Sequence, residues 1–208
     1  GQDIVVMIAG QKLECFLPLI GSFQVHNVLC AIGMAYGLLD GAVNLELLHN
    51  VLVAMKTVPG RLEKIDGHPL GASVYVDYAH KSAALEAVIN AVRPHTKGKL
   101  WLVFGCGGDR DKGKREGMGR IATEKSDFSV ITSDNPRTEN PENIISDILK
   151  GVPASASHVT ITDRREAIEY AISRAEKNDL VLIAGKGHED YQVLGTQKEY
   201  FDCLLYTS

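Results

Sequence analysis

Residues 130–144 read "VITSDNPRTENPENI", a short β-like run broken by Asp134-Asn135-Pro136-Arg137 and followed by helix punctuation. Phe128–Thr132 is apolar enough for a buried strand. Asn140 suits a helix N-cap, Pro141 the first helical position and Gly151 the end. Ile144, Ile145, Ile148 and Leu149 form one apolar face at helical spacing. The Asp-Asn-Pro-Arg tetrad therefore lies between the C-terminal end of a strand and a helix, where open α/β sheets bind ligands. A plain connection would use the Asn and the Pro; it has no need of Arg137.

The same unit recurs on both sides of this stretch. Ser73–Val76 precedes a helical pattern at 82–92, and Leu100–Phe104 precedes one at 114–125. His158–Ile161 precedes one at 164–176, and Leu180–Ala184 is a further apolar strand. Continuous apolar strands alternating with amphipathic helices predict an α/β fold with a doubly wound, mainly parallel, Rossmann-like sheet. A hairpin-like stretch, Tyr191–Leu194 and Glu199–Phe201, is expected to close one edge.

The region before Leu62 has a different character. Two strands, Ile4–Ala9 and Lys12–Phe16, turn at Gly10, and two helices follow at 25–39 and 45–53, the second capped by Asn44. Pro59 and Gly60 mark the expected junction, giving domains 1–60 and 61–208. The 208 residues suit one full domain and part of another on a prior of roughly 100–200 residues each. An opening without Met, directly into a strand, suggests a chain cut from something longer. The closing segment 203–208, "CLLYTS", reads as a truncation or a foreign sequence.

A net charge of −4 argues against a general nucleic-acid binder, although basic loops can still meet a small anion. Cys15, Cys30, Cys106 and Cys203 form no CxxC pair and no zinc spacing, so reduced thiols of a cytoplasmic protein are expected. The apolar run 28–39 is too short for a bilayer, and no signal-peptide n-region opens the chain.

Parallel strands would place four polar loops on one sheet edge: "VDYAHKSAAL", "FGCGGDRDKGKR", "SDNPRTENP" and "AGKGHEDY". Gly108–Lys114, "GDRDKGK", matches the start of a P-loop, but Arg115 replaces the required Ser or Thr and two aspartates would repel phosphate. A Gly-rich turn and a substrate loop using Arg110 both remain open. Asp77 suits ribose hydroxyls or a cap, and His80 suits packing better than base catalysis. His188 and Glu189 lack a third ligand for a metal. Gly185 and Gly187 suit either a ligand's approach or a tight turn. Arg110, Arg137, Asn135 and Glu189 together match a zwitterion, with carboxylates at the arginines and an ammonium at Glu189. An amino-acid substrate fits this set better than a nucleotide alone.

"VPGRLE", "VDYAH", "FGCGGDRDKGKR", "SDNPRTENP" and "AGKGHEDYQ", in this order, resemble the Mur ligases of peptidoglycan synthesis, in their diaminopimelate-adding branch. The resemblance runs from about Leu17 to Asp202. It implies ATP-dependent amide-bond formation in the bacterial cytoplasm, through an acyl phosphate, between meso-diaminopimelate and a UDP-N-acetylmuramoyl dipeptide. It implies that Arg110, Asp134, Asn135, Pro136, Arg137, Gly185 and Glu189 bind diaminopimelate, with Arg137 on the carboxylate that lysine lacks. Asn27, Arg61, Asp77 and His80 match the ATP side. Residues 1–60 would be the tail of the central ATPase domain, and the P-loop, the magnesium ligands and the UDP-sugar domain of the family have no counterpart here. No metal ligand, a monomer and an inactive fragment are expected. Gln24 stands where the family has asparagine. The alternatives are a non-catalytic binding module, a lysine-adding ligase, disfavoured by Arg137, and a folylpolyglutamate-type ligase, disfavoured by the paired DNPR and GKGHE motifs.

Overall fold

The computed structural model describes residues 1–203; the expectation for 203–208 lies, except at Cys203, outside the described residues. The chain divides into two compact units, Gly1–Thr57 and Val58–Ser208.

The first unit is a hairpin with two helices. β1 (Gln2–Ile8) and β2 (Gln11–Leu17) pair antiparallel, with Ile8 opposite Gln11 across the Ala9–Gly10 turn. Every second residue points inward, so Ile4, Val6, Ile8, Leu13, Cys15 and Leu17 form a core with Val28, Ile32 and Leu52. α1 (Ser22–Leu38) starts earlier than its apolar pattern suggests, because Gly21, with φ 97°, turns the chain directly into it. α2 (Leu45–Val53) carries the expected cap: the Asn44 side chain accepts from the Leu47 amide.

The second unit is built on six strands: β3 (Glu63–Ile65), β4 (Ser73–Asp77), β5 (Leu100–Cys106), β6 (Phe128–Ser133), β7 (His158–Thr160) and β8 (Leu180–Ala184). Their spatial order is β3-β4-β8-β5-β6-β7. All pairs are parallel except β3 with β4. α3 (Ser82–Val92), α4 (Lys114–Lys125) and α5 (Pro141–Leu149) pack in succession, α3 on α4 and α4 on α5. α6 (Arg164–Arg174) returns the chain from β7 to β8. Its Ala167, Ile168 and Ala171 bury against Val74, Val76, Trp101, Val103, Val181 and Ile183. Helices thus cover both faces, which is why every residue of β5 and β8 is buried and both read as unbroken apolar runs. The sequence expectation of a doubly wound, mainly parallel sheet holds.

The C-terminal hairpin departs from expectation. β9 (Tyr191–Leu194) and β10 (Gln197–Tyr200) form their own two-stranded sheet and extend neither edge of the large one. The edge beside β4 is taken by β3, whose three residues are too few to show a period. Among the described residues no helix is long and apolar enough to cross a membrane.

Candidate functional site

Four loops leave the carboxyl ends of β4, β5, β6 and β8 and surround a cavity of about 610 Å3. The cavity is lined by Tyr78, His80 and Lys81 from the first loop and by Gly107, Arg110, Asp111 and Lys114 from the second. Asp134, Asn135 and Arg137 come from the third, and Gly185, Glu189 and Tyr191 from the fourth and its continuation. The structure thus brings together Arg110, Asp134, Asn135, Arg137, Gly185, Glu189 and His80. Pro136, the third residue of the tetrad, is buried and does not line the cavity.

The tetrad is held from both sides. Gly108 donates its amide to Asn135 O at 2.8 Å, and a Cβ on Gly108 would lie 1.9 Å from Pro136 O, so this close approach requires glycine. Arg137 sits at φ 53° and its Nη1 donates to Gly108 O at 2.8 Å, which presents the guanidinium at the cavity wall. The β9–β10 hairpin clasps the other side. Arg137 N donates to Val193 O and Gly195 N to Arg137 O. Val193 N donates to Asn135 Oδ1 at 2.9 Å, and Gln192 Nε2 donates to Asp134 O. This polar clasp is what the hairpin does in place of closing an edge.

The glycine loop is no phosphate cradle. Both Asp109 carboxylate oxygens accept from Thr138, and Asp111 Oδ1 accepts from Gly113 N. Arg115 is 1% exposed and donates to Glu139 and Asp147 at 3.0–3.1 Å. The residue that spoils the P-loop pattern is thus a structural cation binding α4 to α5 and to the tetrad loop. Arg110 stays exposed and lines the cavity.

Of the expected ATP-side residues in the second unit, His80 lines the cavity and Arg61 and Asp77 do not. Asp77 is buried; its Oδ1 accepts from Ala79 N at 2.7 Å and its Oδ2 from Leu62 N at 2.9 Å. Burial pushes its carboxyl above the ordinary aspartate value, opposed by those two amides and by Arg61. Arg61 stacks over the Tyr78 ring at 4.5 Å, and His80 meets the same ring edge-on at 4.8 Å. Asn27 is exposed on α1 of the first unit, its Nδ2 donating to Gln24 Oε1 at 3.3 Å. Gly187 serves an approach between loops: at φ 53° its Cβ would meet Tyr78 Cβ at 2.7 Å and Gly60 O at 2.8 Å.

Several participants escaped the sequence reading. Lys114 Nζ donates to His80 O at 2.6 Å, joining two of the loops. Arg164, fully buried on α6, donates to Ala184 O at 2.8 Å and to Ser133 O at 3.3 Å, tying the ends of β6 and β8. Lys186 has no exposed surface; its Nζ donates to Asn135 Oδ1 at 2.5 Å and to Tyr191 O at 2.7 Å. A lysine inside a glycine-rich loop reads as a ligand contact, and only burial reveals it as an internal one. Asp134 Oδ1 is buried without a hydrogen-bond donor, and its nearest cation is Lys186 Nζ at 3.4 Å. A buried carboxylate oxygen at a cavity wall is an acceptor suited to a ligand's ammonium.

The second unit is thus a mainly parallel α/β domain whose carboxyl-end loops present arginines beside carboxylates and an amide. Residues 60–187 match the Mur ligase, glutamate ligase domain family, and the chain belongs to that family. The UDP-N-acetylmuramoyl-L-alanyl-D-glutamate–2,6-diaminopimelate ligase of Gloeobacter violaceus is 50% identical over 185 residues, which cover 89% of this chain and 37% of that protein. The ligase of the same name from Zymomonas mobilis is 48% identical over 195 residues, 94% of this chain and 39% of that protein. A solved structure of a ligase of this name superposes with a TM-score of 0.72 at 36% identity, over 99% of this chain and 41% of the other. Mycobacterium tuberculosis folylpolyglutamate synthase, solved with ADP and AMPPCP, shares the fold at a TM-score of 0.72 and 22% identity, over 89% of this chain and 42% of that one. The chain spans less than half the length of these relatives.

Proposed function

We propose that this chain carries the acceptor subsite of an ATP-dependent ligase that joins meso-diaminopimelate to UDP-N-acetylmuramoyl-L-alanyl-D-glutamate. The supporting observation is the cavity wall: Arg110 and Arg137 stand on the same cavity as Asp134, Asn135 and Glu189. Two carboxylates and an ammonium of one ligand find partners there, and the guanidinium fork matches a carboxylate. Arg137 is the discriminating residue, because lysine has no distal carboxylate to meet it. The names borne by the relatives agree with this reading.

In this reading ATP supplies the phosphoryl group that converts the D-glutamate side-chain carboxylate into an acyl phosphate. The neutral amine of diaminopimelate attacks its carbonyl carbon, a C–N bond forms, and the tetrahedral intermediate collapses. The C–O bond to phosphate breaks, and inorganic phosphate leaves with the amine's proton. The residues of this chain act by positioning and charge pairing: the arginines fix the acceptor's carboxylates and the carboxylates orient its ammonium. Arg61, Asp77, His80 and Asn27 are assigned to the ATP side, Asp77 meeting the ribose through the lone pairs its two amide bonds leave. Among the described residues no group of three or more His, Cys, Asp or Glu is placed to hold a metal ion. We assign magnesium and the phosphates to parts of the ligase other than these residues. We assign residues 1–60 to the end of its central ATPase domain, 61–208 to its amino-acid-binding domain, and the ligase to the cytoplasm as a monomer.

The test is phosphate release by the ligase that contains this chain, with and without Arg137→Ala. The substitution should raise the KM for meso-diaminopimelate about 10- to 100-fold, the scale of a charge-assisted hydrogen bond, and leave the KM for the UDP-dipeptide unchanged. Equal use of lysine and meso-diaminopimelate by the unmodified ligase would contradict the assignment.

A further inference from the structure

We infer that Lys186 is the positioning residue of the amino-acid subsite: its buried ammonium sets the orientation of the Asn135 amide and holds Asp134 and Glu189 as charged acceptors for the ligand's ammonium. The inference rests on the proposed function and deepens it.

A lysine ammonium has three N–H donors. Two are used, on Asn135 Oδ1 at 2.5 Å and on Tyr191 O at 2.7 Å. The third faces two carboxylates almost equally, Asp134 Oδ1 at 3.4 Å and Glu189 Oε2 at 3.5 Å. Lys186 has no exposed surface, so it does not reach a ligand in the cavity and acts through its partners.

Its first effect is geometric. Asn135 Oδ1 accepts from both Lys186 Nζ and Val193 N, so the amide cannot flip without losing both bonds. The NH2 end is thereby aimed at the cavity side, where Nδ2 donates to Glu189 Oε2 at 3.2 Å. Its second effect is electrostatic. The ammonium lies within reach of both the Asp134 and the Glu189 carboxylate, so its charge offsets the repulsion between them. With Lys186 charged the trio carries a net charge of −1, which one substrate ammonium neutralises. Burial lowers the lysine's own proton affinity, and the two carboxylates oppose that shift. The other groups facing this cluster are Arg164 from α6, Tyr191 from β9 and Cys203, and Arg164 adds a second buried cation.

The third effect is to couple the loop to the hairpin. Tyr191 O and Val193 N belong to β9, and Asn135 belongs to the tetrad. Lys186 therefore joins the fourth loop, the third loop and the clasp at one atom.

The experiment is titration of this chain with meso-diaminopimelate from pH 6 to pH 8.5, unmodified and as Lys186→Met. The unmodified chain should vary less than threefold across that range. Lys186→Met should bind more weakly, and the loss should grow as the pH falls, to tenfold or more at pH 6, because the variant no longer offsets the paired negative charge at that wall. A purely structural role would weaken binding equally at every pH, and that result, like no loss at all, overturns the inference. Lys186→Gln keeps N–H donors without the charge and should show the same pH trend if Lys186→Met does not fold. The unmodified chain gives an independent readout: 15N spectra should show the Lys186 ammonium charged and slow to exchange at pH 7, and a neutral or freely exchanging amine overturns the inference. If the unmodified chain binds no meso-diaminopimelate, the proposed function has failed. If it binds and Lys186→Met is indifferent, only this inference has.

Discussion

Arg115 and Glu139 illustrate how single residues hold the site's frame. Glu139 accepts from Arg115 and from the Asp109 amide at 2.7 Å, so it ties α4 and the glycine loop to the loop behind the tetrad. The Arg115 guanidinium beside it holds its carboxyl at about 2, against an ordinary 4.5. A carboxylate depressed in the folded state stabilises the fold fully above its ordinary value. That contribution is lost as the pH falls from 4.5 through about 2. The urea midpoint should therefore decline across that window, and Glu139→Gln should be less stable at pH 7 and decline less. Parallel slopes for the two proteins would contradict this role. In sequence Arg115 is only the wrong residue for a P-loop, because its partners are 24 and 32 positions away. Lys186 was hidden for the same reason. A buried ion cluster formed between loops leaves no periodic trace along the chain.

At the scale of elements, the parallel strands and the helices around the tetrad were legible because local chemistry and burial agree there. β5 and β8 are buried on both faces and read as unbroken apolar runs. α5 begins where its punctuation says: Asn140 Oδ1 accepts from Glu142 N at 2.7 Å and from Asn143 N at 3.3 Å, with Pro141 at the first position. Asn140→Ala should cost about 1 kcal/mol in a urea unfolding series, and an unchanged midpoint would show the cap to be dispensable. β3 and the placement of the hairpin were not legible. β3 spans three residues, and the hairpin's attachment is made by backbone groups and Gln192, which carry no hydrophobic pattern. The four-loop convergence, in contrast, followed from strand direction alone, since parallel strands deliver their following loops to one edge.

At the scale of the whole molecule, the proposed function places an amino-acid subsite in the second unit and its selectivity in Arg137. The parts of that subsite named from sequence, Arg110, Asp134, Asn135, Arg137, Gly185 and Glu189, all line one cavity, whereas Arg61, Asp77 and Pro136 do not line it. The groups on its wall are held by hydrogen bonds among the loops and the hairpin: Arg137 to Gly108 O, Lys186 to Asn135 Oδ1, and Val193 N to Asn135 Oδ1. Calorimetric titration of this chain with meso-diaminopimelate, using L-lysine and L,L-diaminopimelate as controls, measures that selectivity directly. The meso isomer should bind in preference to both controls, and that preference should be lost in Arg137→Ala. Equal binding of L-lysine, or an unchanged preference in Arg137→Ala, would contradict it.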